Sequence, residues 1–369
     1  MTRRTTPPFR ADHVGSLLRT PALKAARERR ARNEIDAEAF NAIEDREVAD
    51  VIAKQEAAGL QSITDGEYRR VSWNIDFLER LDNVESYAGE RKIKFQTSGP
   101  QPRAVLLRLT GKLGTYKPHP MIEHFKFLRS HTKRTPKMTI PSPSSLHFRY
   151  ARDAVPETLY PAMEDRDLGQ SYRKVVRAFA DAGCRYLQLD EVNLAYLCDP
   201  SLRKAIADRG EDPARLPATY AGMINAAIAG IASDMTITMH LCRGNFRSNF
   251  VASGGYEPVA ELLFNTINVH GYFMEYDTER AGGFEPLRFV PKGKTVVLGL
   301  VTSKTGALES KDAVKRRIEQ ATKFIALDQL CLSPQCGFAS TEEGNVLAED
   351  EQWAKLRMIV ELAEEIWGG

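Results

Sequence analysis

The sequence predicts an α/β chain: a single (β/α)8 TIM barrel spanning residues 1–369, with an insertion at 68–135 after the second strand. Three observations lead there. Eight short apolar runs alternate with helical patterns, as a parallel barrel requires. Most of those runs end in residues able to do chemistry, and such barrels build their sites at the C-terminal ends of their strands. A length of 369 residues also suits one barrel with an insertion.

The first run, Arg10 to Ser16, closes in Gly15-Ser16, and Thr20-Pro21 then opens a helix with threonine as N-cap and proline in the first turn. A second helix starts near Asp36, carries Phe40, Ile43, Val48, Val51 and Ile52 as its apolar stripe, and stops at Gly59. Strand two, Leu60 to Glu67, finishes in Asp65-Gly66-Glu67, which is either a functional strand tip or a turn-forming Asp-Gly. Within the insertion, Arg91 to Thr110 alternates as a β-hairpin and Pro120 to Arg129 reads as a helix. Strand three is Lys137 to Pro141, followed by a helix from about Asp165 to Ala182; strand four, Cys184 to Glu191, ends in Asp190-Glu191. A long helical region, Ser201 to Ser233, precedes strand five, Thr236 to Leu241. A helix at Pro258 to Phe264 follows, then strands at Gly271 to Glu275, Thr295 to Val301 and Leu330 to Ser333. Helices near Ser310 to Leu327 and Asp350 to Ile366 follow the last two.

Composition narrows the partners. Lysine and arginine number 51 against 49 acids, a formal charge of +2, so nothing recommends a nucleic acid or an anionic membrane. The basic N-terminus lacks the apolar core of a secretory signal, and no stretch is long and apolar enough to span a bilayer. Five cysteines do not make a disulfide framework and fit a reducing cytoplasm.

His240 and Cys242 lie two positions apart on a strand pattern, so their side chains face the same way. That is half of a tetrahedral zinc site if a thiolate and one further ligand arrive from elsewhere; the candidates are Cys336 and Glu275. The plain alternative is a packed core strand with a satisfied histidine. Zinc with two thiolates, an imidazole and a carboxylate is electron-rich, a poor activator of water but well suited to holding an incoming thiol as a nucleophilic thiolate. Alkyl transfer to sulfur is the natural reaction, with the carboxylate as the ligand most readily displaced. A closed structural zinc site in a non-catalytic barrel is the alternative of another class.

Taken together in this order, Val14-Gly15-Ser16, Asp65-Gly66-Glu67, Leu187-Gln188-Leu189-Asp190-Glu191, His240-Leu241-Cys242, Glu275 and Cys336-Gly337 resemble the catalytic half of cobalamin-independent methionine synthase. The resemblance covers most of the chain. It implies a zinc-dependent barrel that methylates homocysteine to methionine, with His240, Cys242, Glu275 and Cys336 as metal ligands. It also implies that Val14, Gly15 and Ser16 hold the carboxylate of a homocysteine-like amino acid and that Glu67 and Asp190 hold its ammonium. The bland reading pairs Glu67 and Asp190 with arginines such as Arg69.

Three departures bear on the methyl donor, which is methylfolate or another molecule. The family's long N-terminal half has no counterpart here. Thr302 stands where the family places a histidine proton donor, and threonine is a poor acid for a folate leaving group. Near the family's folate-stacking tryptophan the chain reads Leu146-His147-Phe148-Arg149, where Phe148 either stacks on a flat donor or packs in the core. His147 and His270 are spare acid candidates. These departures are similar to those of shorter single-barrel relatives, some of which use other donors or a partner protein and one branch of which opens epoxides with coenzyme M. A sulfonate thiol should not want Glu67 and Asp190 beside it, whereas an amino group should.

Overall fold

The computed structural model describes residues 4–368 apart from 91–92, 98, 100, 103, 114–117, 149–152 and 162–166. Its strands are β1 (Ser62–Ile63), β2 (Val84–Ala88), β3 (Val105–Leu109), β4 (Thr135–Pro136), β5 (Met138–Pro141), β6 (Tyr186–Glu191), β7 (Thr236–Leu241), β8 (Gly271–Glu275), β9 (Thr295–Val301) and β10 (Leu330–Pro334). From β5 to β10 each strand pairs parallel with its successor in sequence, making one six-stranded sheet. Every residue of β6, β8, β9 and β10 is buried. Near-continuous apolar runs are what parallel strands covered on both faces need.

The helices between strands start where their caps predict. Thr20 Oγ1 accepts the Leu23 N–H (3.1 Å) at the head of Pro21–Ala31, and Asp36 accepts the Ala39 N–H (2.8 Å) at the head of Ala37–Ala57. The expected helical region from 201 to 233 is two helices, Pro200–Asp208 and Leu216–Ile228, because Gly210 turns left-handed between them and Pro213 follows. Between β8 and β9 the chain makes only short 3-10 turns, Glu279–Ala281 and Glu285–Phe289. Gly282, Gly283, Pro286 and Pro291 leave no room there for an α-helix.

The hairpin lies upstream of its expected place. β2 pairs antiparallel with β3, Val84 opposite Leu109, so its first strand is 84–88 rather than a stretch beyond Arg91. Gly99 and Pro102 interrupt the alternation that suggested otherwise, since proline has no N–H to give a ladder. Part of the 91–104 segment lies outside the described residues. Phe77, Leu78, Leu107, Leu109 and Phe125 of the 68–135 region join the same hydrophobic cluster as the sheet residues Leu187, Met239 and Met274.

The ring of eight strands expected from the sequence is not closed as a sheet. At one end Ala11 bridges Leu332 of β10 in parallel; at the other, β4 pairs parallel with β1. Between residues 11–16 and β1 no ladder forms among the described residues. Gly15, at φ +137°, leaves strand geometry, and the His13 ring Nε2 takes up the Ser62 carbonyl at 3.2 Å. Thr64 Oγ1 donates to Gly15 O (2.7 Å) and Leu17 N–H to Gly66 O (3.0 Å), so the two segments still meet.

Beneath them sits a buried ionic cluster. Lys137 Nζ lies 3.2 Å from Asp12 Oδ1 and 2.6 Å from His13 O, with both charged side chains fully enclosed. Ser62 Oγ and Tyr186 OH also donate to Asp12, at 2.7 and 2.8 Å, and the ammonium faces the Phe273 ring 4.0 Å away. Lys137→Met removes the cation and strands a buried carboxylate, at an expected cost of about 3–5 kcal/mol. A urea midpoint measures that loss. Adding Asp12→Asn in the same chain should recover part of it.

Acid should also unfold the protein through its histidines. Burial, then the Lys137 charge, pushes His13 down to about 4, and burial likewise pushes His119 down to about 4. Both are neutral in the fold and charge more readily in the unfolded chain, whose reference value is 6.5. Their contribution is complete above pH 6.5 and is lost as pH falls towards 4. Each costs about 1.4 kcal/mol per pH unit across that window, on the order of 4 kcal/mol together by pH 5. Melting temperatures taken between pH 7 and 4.5 measure the slope; His119→Phe should flatten it.

Candidate metal centre and amino-acid pocket

The strand register brings the chemical residues to one end of the sheet. Asp190 on β6 is level with His240 on β7, which is level with Phe273 on β8; Glu275 is level with Gly299 on β9. His240, Cys242, Glu275 and Cys336 each offer one ligand atom, and these atoms all lie within 4.8 Å of one another. All four residues are buried. The sequence paired Cys336, 94 residues further on, with Cys242, and their sulfurs are 3.4 Å apart as free thiols.

Glycines let two loops approach closely enough to make this cluster. Gly244, at φ +94°, points its N–H at Cys242 Sγ (3.2 Å), and a side chain there would strike the Val251 backbone. At Gly337 a Cβ would lie 1.9 Å from Ser16 Oγ and 3.3 Å from Ser16 O, so a larger residue would force the Ser16 side chain to move.

The donor set fits a metal cation. Both ring nitrogens of His240 are buried without a hydrogen-bond partner, an expensive arrangement for an imidazole unless something else binds it. The Cys336 thiol and burial push the Cys242 thiol well up, as happens when acids crowd together with no positive charge between them. Glu275 is held on both sides: Oε1 accepts the Arg243 N–H at 2.9 Å, and Oε2 lies 3.2 Å from the Arg280 guanidinium. Burial would raise its pKa, but Arg280, Lys304 and His240 more than offset that and the net shift is downward. Two sulfurs, an imidazole and a carboxylate at this separation could hold a metal ion.

Beside the cluster is a cleft lined by Val14, Ser16, Glu67 and Asp190 together with His240, Cys242 and Cys336. Glu67 sits at φ +58°, a left-handed conformation that costs a non-glycine residue energy. Thr139 Oγ1 donates to its Oε1 at 2.9 Å, Arg70 lies 3.6 Å away, and Oε2 has no partner. Burial, then the neighbouring Glu67, pushes Asp190 up to about 7. The Gln188 side-chain amide donates to Asp190 (2.7 Å) and to the Val14 carbonyl (2.8 Å), tying the two walls together. Arg69 is not the partner of either acid; it pairs with Glu44 (3.0 Å) and Asp45 (2.5 Å).

Other residues singled out in the sequence fall elsewhere. Gly15 packs against Thr139 just behind the cleft. Phe148 is fully buried, edge-on to the Tyr196 and Tyr220 rings, and is not part of the described lining. His147 bridges Tyr220 (2.9 Å) and Glu211 (2.9 Å), and His270 Nδ1 accepts the Ile237 N–H (3.0 Å) at the start of β7. Thr302 Oγ1 hydrogen-bonds Gln335 Oε1 at 3.0 Å and Asp277 Oδ2 at 3.3 Å. None of these faces the cleft. Trp73, Phe95, Asn245 and Phe246 do line it; they lie on loops, where the sequence carries no periodic signal to mark them.

Residues 9–365 match the model of a family described as the cobalamin-independent synthase catalytic domain. The chain is a member of that family. Within the cobalamin-independent synthase family, a methyltransferase family, it is 48% identical over 364 residues to the uncharacterized protein YxjH of Bacillus subtilis, covering 98% of this chain and 95% of that one. A solved structure of a putative vitamin-B12 independent methionine synthase from Listeria monocytogenes is 42% identical, covers 99% of this chain and all of its own, and has a TM-score of 0.78. A 5-methyltetrahydropteroyltriglutamate–homocysteine methyltransferase of Thermotoga sp. is 21% identical over 368 residues, and the match spans 45% of its length. Among the described residues no helix is long and apolar enough to cross a membrane.

Proposed function

We propose that this protein is a zinc-dependent S-methyltransferase that activates homocysteine for methylation to methionine, with methylfolate or another molecule as donor. In this reading the chain is one (β/α)8 barrel carrying 68–135 as an insertion after its second strand, and it works in the cytoplasm, where its thiols stay reduced. The observation that carries the proposal is the gathering of four ligand atoms within 4.8 Å, around an imidazole with no other partner, beside two buried carboxylates.

His240, Cys242, Glu275 and Cys336 would hold the zinc ion, which when bound supplies the charge that keeps an incoming thiol deprotonated at neutral pH. The chain's own residues do the rest. Arg243 N–H and Arg280 hold Glu275, the hardest of the four donors, and remain as its partners when a thiol arrives. Glu67 and Asp190 take the ammonium of the amino acid; its arrival returns Asp190 to the charged form. The Val14–Ser16 backbone and the Ser16 hydroxyl take the carboxylate. Gln188 fixes Asp190 against Val14, which matters because in-line attack at carbon tolerates little misplacement. The same two carboxylates disfavour a sulfonate thiol such as coenzyme M.

Zinc-edge X-ray absorption with and without homocysteine tests the reading. Replacement of an oxygen neighbour by sulfur is the expected result. Stoichiometric zinc that ignores homocysteine would point to a structural site, and a protein that takes up no zinc would sink the proposal.

A further inference from the structure

Besides the acids and thiols, the cleft is lined by aromatic residues drawn from three distant stretches. Trp73 is anchored through its backbone N–H, which donates to Ser340 O (3.0 Å), next to the Ser72–Thr341 bridge. Phe95, from the insertion, packs on Phe246, with ring centroids 5.6 Å apart and planes inclined by 47°. Gln96 N–H donates to Phe250 O (2.7 Å) and pins that part of the insertion onto the loop after β7. All three rings line the cleft.

The titratable residues of the described lining are Glu67, Asp190, His240, Cys242 and Cys336, and none of the described lining is lysine or arginine. Each of the five already has a task, as ammonium partner or metal ligand. A methyl group leaving a tertiary amine such as a folate nitrogen must be matched by protonation of that nitrogen, and the described lining holds no uncommitted acid to do it. Thr302, His147 and His270 are all turned to other partners.

We propose that the methyl donor of this protein is an onium compound, a methylsulfonium or a quaternary methylammonium, whose cationic head sits against the Trp73, Phe95 and Phe246 rings. This rests on the homocysteine reading above. Aromatic faces attract such a head, while Glu67, with Arg70 3.6 Å away, and Asp190 are taken up by the ammonium of the amino acid. The chemistry balances without an acid. The homocysteine sulfur, its proton already lost on ionisation, forms a bond to the methyl carbon. The bond from that carbon to the onium centre breaks, and its electron pair stays with the departing atom. An anion and a cation become two neutral molecules, a thioether and a neutral sulfide or amine. A polyanionic donor would find no lysine or arginine in the described lining.

The test uses the zinc-loaded full chain with homocysteine and, in parallel, S-methyl-L-methionine, trimethylsulfonium, glycine betaine and 5-methyltetrahydrofolate, measuring methionine formed. Trimethylsulfonium binding to the metal-free protein is measured by calorimetry as well. At least one onium donor should support turnover and the folate should not. Phe95→Leu should weaken trimethylsulfonium binding and raise the onium KM about fivefold, with kcat little changed. Phe95→Tyr, which keeps the ring, should restore both. Methionine formed from the folate and from no onium, while the zinc edge shows homocysteine sulfur bound, overturns this inference and leaves the homocysteine reading standing. Onium binding indifferent to Phe95→Leu also overturns it. Absence of homocysteine sulfur at the zinc edge removes the homocysteine reading, and the donor proposal with it.

Discussion

Under the proposed function, Cys336→Ser should yield a folded protein that no longer holds zinc or activates a thiol. The cysteine is 2% exposed, and serine is close to it in volume, so the substitution leaves no sizeable cavity. What changes is the donor. A hydroxyl replaces one of two sulfurs that lie 3.4 Å apart, and a soft cation loses its best ligand at that corner. Changes to residues that merely support a metal ligand cost about 10–100-fold in affinity, so loss of a ligand itself should exceed about 100-fold. Zinc content after dialysis against a chelator, read beside far-UV circular dichroism, separates the possibilities. A variant that retains stoichiometric zinc would show that Cys336 is not a ligand. One that fails to fold would give the site a structural role.

Gly299→Ala should damage both the fold and the metal cluster. Gly299 lies within β9, level with Glu275, and a Cβ there would stand 2.6 Å from Gln335 Cα, 2.9 Å from Met274 O and 3.2 Å from Pro334 O. All three are backbone atoms, so no side chain can swing aside. Either β8 or β10 must move, and Glu275 ends the one while Cys336 follows the other. Overpacking of this kind costs about 1–3 kcal/mol or more. Because one of these strands ends in Glu275 and the other leads into Cys336, metal affinity should fall along with the urea midpoint. Gly210→Ala, where a Cβ meets nothing within 4 Å but φ is +86°, is the control: its strain is confined to a turn and should leave metal affinity unchanged.

A good part of this architecture is readable from local order in the chain. Period-two alternation in Thr236 to Leu241 puts His240 and Cys242 on one face whatever surrounds them, because successive strand side chains point to opposite sides. Thr20, Asp36 and Gly59 mark helix ends through bonds made within three or four residues. The acids and thiols at strand ends were legible for the same reason, once the alternation of strands and helices implied that those ends share a face.

Tertiary packing settled what depends on segments far apart in the chain. Whether Phe148 faces a ligand or the core is a question about Tyr196 and Tyr220, and no local pattern contains it. The hairpin register turned on where β2 meets β3, across a stretch with weak periodicity. Arg280 at Glu275, Lys137 on Asp12, and the convergence of Trp73, Phe95 and Phe246 on one cleft depend on which segments pack together. Local hydrogen bonding and side-chain alternation determine the direction of a residue within its own element. Which loops then touch is decided by how the elements bury their apolar faces together, a property of the whole chain.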